Sequence, residues 1–355
     1  MKKSALFIIT AVITALMLTV SAFAGSYDDA FSGLTLTEFK AYADTQGPRG
    51  FGVDSKYYYV GYLQGTPTVV QYNAADGSEV SKYTFATEAG AYIKAIGTDD
   101  RGYVYMGIAN KANNGAVYFA VCAQDGMKEI TNVKIDIAGK VGVNGICTAK
   151  IGAKHYLYMT TNYDTDRIYR YDVTDAKNPK ADTSFGTNGY VDLSAFKVTD
   201  PNNIAVATDG SIYIAVNTGN GSKGDSVIKL DAAGTKLAAS AELKEAFGVC
   251  VVGEYVAACS FNGSSSEVAI YNQSDLSKVT SVVYPSAKKF AQLGLIGDKL
   301  YVLDSNDKII TSSSIKIPAK AVDTGKAPAT ADALSVTVLA LAASAAAVVV
   351  AKKHH

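Results

Sequence analysis

Short runs of β-branched and aromatic residues alternate along this chain with clusters of Gly, Asp, Asn and Ser. The clearest instance is Pro201 to Asn217, P-N-N-I-A-V-A-T-D-G-S-I-Y-I-A-V-N. Ile204 and Val206 belong to one run, Ile212, Tyr213 and Ile214 to the next, and Asp209-Gly210 between them is a hairpin turn signal. Weaker copies recur over most of the length. Aligned on the central aromatic of the second strand, Tyr59, Tyr105, Tyr158, Tyr213 and Tyr301 fall into register, with Val256 in the remaining slot, at steps of 46, 53, 55, 43 and 45 residues. A second register follows in the same order: Tyr72-Asn73, Tyr171-Asp172, Leu230-Asp231 and Tyr271-Asn272 each end a β-branched run and precede a turn. A period of this size built from strands predicts the four-stranded antiparallel blades of a β-propeller.

The blades read as residues 48–86, 91–136, 142–193, 200–243, 246–284 and 289–317, which makes six. Asp182 to Val191 is extra in blade three and explains its longer step. The repeated Tyr and Ile positions are expected to form the layers between blades rather than to contact a ligand. Leu34 to Ala43 is a strand-like segment without a hairpin partner, whereas the last repeat supplies only three strands before Pro318. An open blade edge is an aggregation liability, so residues 34–43 are expected to pair with Lys308 to Ile315 and close the ring, as an all-β domain over 34–317.

With P-N-N-I-A-V-A-T-D-G-S-I-Y-I-A in blade four, and Asp166-Arg167-Ile168 before Tyr171-Asp172 in blade three, the chain resembles the NHL and gluconolactonase-like (regucalcin-like) six-bladed propellers over roughly residues 48–317. That resemblance implies a divalent metal in the central channel, held by carboxylates and an Asn at the starts of the innermost strands. Here those starts are Arg49-Gly50, Ala91-Tyr92, Asn144-Gly145, Asn202-Asn203, Phe247-Gly248 and Ala291-Gln292. Asn144 and Asn202 match the Asn position, but the carboxylates are missing; Glu88, Asp200 and Glu245 lie nearby, outside the matching positions. Arg49, Asn144, Asn202 and Gln292 are therefore candidate channel-entrance residues without a metal, and no catalytic residue is assigned.

Both ends of the chain depart from the repeat. Lys2 and Lys3, the apolar run Ala5 to Val20 and Ala22-Phe23-Ala24 have the order of a secretory signal peptide over residues 1–24. After a polar linker at 318–326, Pro328 and Thr330 precede an apolar span, Leu334 to Ala351, and the basic tail Lys352-Lys353. This resembles a Gram-positive cell-wall sorting signal over 327–355. The resemblance implies transient recognition by a sortase, with the Thr330–Ala331 bond as the scissile one, and membrane contact through a C-terminal transmembrane helix at Leu334–Ala351. Ala327 and Ala331 depart from the usual Leu and Gly, so a variant sortase or a plain membrane anchor is implied. The expected location is extracellular, on the wall or membrane of a Gram-positive bacterium.

Lysine plus arginine equal aspartate plus glutamate at 33 each, so no net field draws the protein to nucleic acid. Cys122, Cys147, Cys250 and Cys259 show no CxxC spacing; a turn at Gly253-Glu254 places Cys250 opposite Ala257, which leaves Cys259 diagonal and favours free thiols. His155 follows Lys154 at the start of a strand and reads as a surface position. The loops after the second strands carry the candidate ligand contacts: Asn162, Tyr163, Asp164 and Asp166 in blade three, Asn217, Asn220 and Asp225 in blade four, and Asn262 in blade five. No cofactor is expected, and Asn162 to Asp166 is the one candidate calcium loop, although it lacks the Gly and distal Glu of an EF-hand.

Two functions follow. One is a surface-displayed, monomeric propeller binding a protein or glycan through its loop rim, with Tyr62, Tyr163 and Phe261 as stacking surfaces in a chain without Trp. The other is a lactonase- or lyase-like hydrolase with an atypical channel site. Carboxylates around a central void would favour the enzyme, and a channel plugged by Tyr and Phe would favour binding.

Overall fold

The computed structural model describes residues 30–41, 47–62, 66–85, 91–110, 117–135, 137, 141–217, 224–285, 289–305 and 308–316. The signal-peptide segment, Asn220, the sorting residues Pro328, Thr330 and Ala331 and the apolar span lie outside them; among the described residues no helix is long and apolar enough to cross a membrane.

The described strands form six antiparallel sheets arranged as blades. Blade one is Pro48–Val53, Tyr57–Tyr62, Thr68–Asn73 and Glu79–Thr84; blade two is Ala91–Thr98, Tyr103–Asn110, Val117–Ala123 and Lys128–Ile135. Blade four is Pro201–Val206, Ile212–Val216, Ser226–Leu230 and Lys236–Ala239; blade five is Gly248–Val252, Tyr255–Phe261, Ser266–Asn272 and Lys278–Tyr284. Blade three, Val141–Ile151, Lys154–Tyr163 and Arg167–Asp172, has its outer strand broken into Lys180–Ala181 and Tyr190–Asp192, both paired to Arg167–Asp172. The extra segment fills that break. Its Phe185 is buried beneath the Arg170 guanidinium at 4.4 Å, and Arg170 in turn pairs with Asp182 at 2.8 Å.

Blade six joins the two ends of the fold. Phe290–Ile296, Lys299–Asp304 and Lys308–Ser312 are completed by the N-terminal strand Leu36–Ala41, which runs antiparallel with Leu36 opposite Ser312 and Ala41 opposite Lys308. Phe39 from this strand packs edge-on against Tyr301 and Tyr58, and Phe31 just before it lies edge-on to Tyr255 at 4.8 Å. The closing strand thus seals apolar layers on two sides as well as an edge.

The aligned aromatics are interblade core: Tyr59, Tyr105, Tyr158 and Tyr213 are fully buried and Tyr301 nearly so. A buried hydroxyl needs a partner. Tyr301 donates to the Ala74 carbonyl of blade one at 2.9 Å, and Tyr213 donates to the Gln273 carbonyl of blade five at 3.2 Å. In blade two Tyr105 donates to Asp99 at 2.9 Å, while Arg101, paired with the same carboxylate, reaches the Val173 carbonyl of blade three at 2.9 Å. In blade one Gln71 bonds both Tyr59 and the Gln124 carbonyl of blade two. Ala74, Gln124, Val173 and Gln273 occupy one repeat position, two residues past the aligned Tyr72, Cys122, Tyr171 and Tyr271.

The innermost strands share a second pattern. Phe51, Ile96, Ile146, Ile204, Val249 and Leu293 are each followed by a small residue: Gly52, Gly97, Cys147, Ala205, Cys250 or Gly294. A Cβ on Gly97 would come within 2.8 Å of Ile146 Cγ2, and one on Gly52 within 2.7 Å of Ile96 Cγ2, so these two glycines each seat the next blade's isoleucine.

Three expectations need comment. His155 is buried rather than on the surface, with Nδ1 at 3.5 Å from Asp100 Oδ1, because its strand begins under the next turn of blade two. Tyr62 is also buried, its hydroxyl sharing a 3.2 Å hydrogen bond with that of Tyr72, so it offers no face to a sugar. The four thiols are free, and Cys250 lies opposite Ala257 with Cys259 opposite Gly248. Burial pushes the Cys122 and Cys259 thiols up to about 12.

Deleting residues 30–41 is expected to lower the urea-unfolding free energy by several kcal/mol, about what an exposed blade face should cost. An unchanged midpoint would show that the ring closes without this strand. Gly97→Val should destabilise by about 1–3 kcal/mol through overpacking against Ile146, read in the same experiment.

Candidate functional site

The inner-strand pattern also positions the side chains that face the channel mouth. In five blades the register of the first strand against the second slips by one residue, leaving Arg49, Lys94, Asn144, Asn202 and Ala291 as the extra residue of a β-bulge. A bulge leaves one residue outside the ladder and re-aims its side chain. Blade five has no slip, and Phe247 occupies the corresponding place just before Gly248–Val252. Three candidates from the sequence, Arg49, Asn144 and Asn202, are bulge residues, and Gln292 directly follows one. Lys94 takes the place expected of Ala91-Tyr92 in blade two. Lys94-Ala95-Ile96-Gly97-Thr98 has the same small–aliphatic–small order as Asn144-Gly145-Ile146-Cys147-Thr148, which is the signal that marks it.

These residues converge on one network. Gln292 spans the channel: its Oε1 accepts the Phe51 N–H of blade one at 2.9 Å, and its Nε2 donates to the Lys94 carbonyl of blade two at 2.8 Å and towards the Asn144 carbonyl of blade three at 3.4 Å. Lys94 Nζ donates to Asn144 Oδ1 at 2.7 Å and to Asn202 Oδ1 at 3.4 Å. Asn144 Nδ2 donates to the Pro201 carbonyl at 3.0 Å and towards Asp200 Oδ1 at 3.4 Å. Among the described residues the waist of the channel is therefore closed by amides and one lysine, with the Asp200 carboxylate reaching Asn144 from the rim. Above it Arg49, Lys94, Asn202, Phe247, Lys289, Ala291 and Gln292 line a cavity of about 90 Å³. Lys289 sits 4.3 Å from the centre of the Phe247 ring. Burial, and then the Arg49 charge, hold its ammonium below the usual lysine pKa, against the opposing pull of Glu245 and Asp200.

Below the waist lies a cavity of about 310 Å³ of mixed polar and apolar lining, walled by all six innermost strands. Val53, Thr98, Thr148, Val206, Val251 and Leu295 form its half-buried lower ring. Thr98 donates to the Val53 carbonyl at 2.5 Å and Thr148 to the Thr98 carbonyl, which ties three of these strands together.

The rim candidates divide into supporting and outward-facing groups. Asp166 accepts the Asp200 N–H at 3.0 Å, and Asp225 accepts the Glu245 N–H at 2.8 Å; each carboxylate pins the backbone at the entrance to the next blade. Burial, with the charges of Asp200 and Asp192, raises the Asp166 pKa. The Asn217 N–H donates to the Asp200 carbonyl at 3.3 Å, and Asn262 folds its own loop by accepting from the N–H groups of Ser264 and Ser265. Asn162 is buried and donates to Asp200 Oδ1 at 2.5 Å; Asp164 and part of Tyr163 are exposed, the Tyr163 ring lying against Gly142 and its side chain hydrogen-bonded to that of Tyr92. Tyr163 does so with φ of 72°, a left-handed backbone that a bulky side chain rarely adopts. Thr161 braces the loop from beneath through a 2.8 Å bond to the Thr165 carbonyl.

The channel metal that the gluconolactonase-like resemblance implies does not fit these residues. Its mouth presents Arg49, Lys94 and Lys289 where a hard cation needs oxygen donors, and among the described residues no three His, Cys, Asp or Glu side chains gather to hold an ion.

By sequence, the chain matches no protein-family profile and no curated protein. Its fold is similar to that of solved propellers. The WD40 repeats of RRP9 superpose with a TM-score of 0.54 at 8% identity over 79% of this chain and 97% of that one, and U3-55K with 0.54 at 11% over 78% and 98%. Virginiamycin B lyase from Staphylococcus aureus superposes with 0.50 at 12% identity over 79% of this chain and 100% of that one. At such identities the likeness is one of fold alone.

Gln292→Leu should leave the Phe51 N–H and the Lys94 carbonyl without their partner in a buried place. The expected loss is about 1–3 kcal/mol in unfolding free energy, measured by urea titration. An unaltered stability would mean that the amide is not what closes the waist.

Proposed function

We propose that this chain is a surface-displayed, non-catalytic propeller that binds a protein or glycan partner through its upper loop face. The observation that carries the reading is Tyr163. It is 42% exposed in a left-handed backbone, on a loop braced by Thr161, Asn162 and Asp166. A bulky residue in that conformation costs on the order of 1–2 kcal/mol, and a large aromatic held outward on a rigid support is what a binding face uses. The cationic mouth supports binding over metal-assisted hydrolysis, since Arg49, Lys94 and Lys289 would repel a metal ion there. Display would come from the signal peptide and from sortase transfer at Thr330, or from membrane retention through Leu334–Ala351.

Two measurements test this reading. Tyr163→Gly, made in the full chain with Asp164→Ala, should abolish capture of the surface partner while moving the melting temperature little, because relief of the backbone offsets loss of the Tyr92 contact. Retained capture, or lactone turnover lost on changing Asn144 or Asn202, would reverse the assignment. For display, Thr330→Ala should convert a form that needs a wall hydrolase for release into one that detergent extracts; detergent release of the parent would indicate a membrane anchor instead.

A further inference from the structure

The residue just before the packed aliphatic or aromatic side chain of each innermost strand is Gly50, Ala95, Gly145, Asn203, Gly248 or Gln292. Four of these are small and two are amides, and the two amides are used differently. Gln292 spends its side chain on three bonds across the waist. Asn203 is only 7% exposed, yet among the described residues its side-chain amide has no hydrogen-bond partner. Burying an amide without a partner is unfavourable, and the packing of the ring does not call for one, since a small residue serves at this place in four other blades. Asn203 lines the lower chamber, and neither polar atom of its side chain is sealed off from open space. All the residues that line this chamber of about 310 Å³ are described, and none of them carries a charge. Its other polar groups are the Thr98 and Thr148 hydroxyls, the Cys147 and Cys250 thiols and backbone, because each innermost strand is paired on one side only and turns its free edge to the axis.

We propose that the lower chamber binds a small neutral molecule that carries an amide on an apolar body, with that amide paired to Asn203. The site is separate from the loop face and goes beyond the function proposed above. The Asn203 side chain offers a donor and an acceptor side by side, which a ligand amide returns in two bonds. The ligand is neutral because an ion in the chamber would find no counter-charge among the lining residues. Its apolar body would lie against Val53, Val206, Val251 and Leu295 of the half-buried lower ring. A sugar suits the place poorly, since most of its hydroxyls would meet Val and Leu side chains. Such a space holds roughly ten waters, and so a molecule of about a dozen non-hydrogen atoms. Burial raises the Cys147 and Cys250 pKa values, so both thiols stay protonated and the ligand is held without a covalent bond.

The test is calorimetric titration of the full chain with three probes: N-acetyl-leucine amide, N-acetyl-leucinate and glucose. The neutral amide should bind, and the anion of the same shape should bind at least about tenfold more weakly, as should glucose. Asn203→Leu should weaken the amide probe at least about tenfold without lowering the urea midpoint, because no hydrogen bond within the described residues is lost with it. A purely structural amide would lower that midpoint instead. Val206→Phe, which leaves Asn203 in place and fills the chamber, should weaken the same probe. Labelling of Cys147 and Cys250 in the folded chain by N-ethylmaleimide, followed by mass spectrometry, should slow while the amide probe is bound, which places the bound molecule in the chamber. No binding of N-acetyl-leucine amide, equal binding of its anion, tighter binding of glucose, unchanged affinity or a lowered midpoint in Asn203→Leu, or unchanged labelling would overturn the site. Capture through the Tyr163 loop is read in its own experiment, so either site can fail without the other.

Discussion

Six strands that approach one axis have little room on the faces they turn to each other, and most of the inner architecture follows from that crowding. Each strand meets it with an aliphatic or aromatic residue followed by a small one, so that Ile146 can lie against Gly97 and Ile96 against Gly52. Just above this packed layer, five strands slip register by one residue. The extra residue is excluded from the ladder, so its identity is not dictated by the core. That is where Arg49, Lys94, Asn144 and Asn202 stand, and why the chemically distinctive side chains of this ring collect at one mouth of the channel.

Separate sheets need something other than a shared ladder to fix their mutual angle. Apolar layers hold them together without direction, whereas a hydrogen bond to one turn carbonyl has direction. Ala74, Gln124, Val173 and Gln273 each receive such a bond from the preceding blade, from Tyr301, Gln71, Arg101 and Tyr213 respectively. The donors differ while the acceptor position repeats, so the geometry being maintained is that of the backbone. The bond from Tyr301 to Ala74 crosses the junction of first and last blades, the same junction that Leu36–Ala41 closes by strand pairing.

The tyrosine register and the unmatched N-terminal strand were legible in the sequence because both are properties of core and edge, which period and counting expose. The mouth was legible in part. Arg49, Asn144, Asn202 and Gln292 could be found at the starts of their strands, whereas the blade-two strand begins three residues before its bulge, so Lys94 was missed in favour of Ala91-Tyr92. Lys289 was missed because it precedes its strand, in a place where a lysine ordinarily faces solvent. Asp166 and Asp225 looked like ligand contacts since turn-rich loops hold both kinds of carboxylate. Their acceptance of the Asp200 and Glu245 N–H groups depends on the next blade, which no local pattern encodes. His155 was misplaced for a related reason, as its burial comes from a neighbouring blade's turn.

Asp200 and Glu245 connect backbone strain with the charge of the mouth. Each lies two residues before the channel-facing position of its blade, with φ of 51° and 48°, and Gly47, with φ of 69°, fills the same place in blade one. Glycine adopts this conformation without strain, whereas a carboxylate side chain there costs on the order of 1 kcal/mol. Blades four and five nevertheless put acids at the strained positions, and both acids act on Lys289 against the repulsion from Arg49. The Asp166 and Asp225 carboxylates accept the N–H groups of these two residues, so the strain is held by charge-assisted bonds from the blade before. Glycine at both positions would relax the backbone but remove the two acids that offset the Arg49 charge on Lys289, so the strained acids are best understood as a local counterweight to that repulsion.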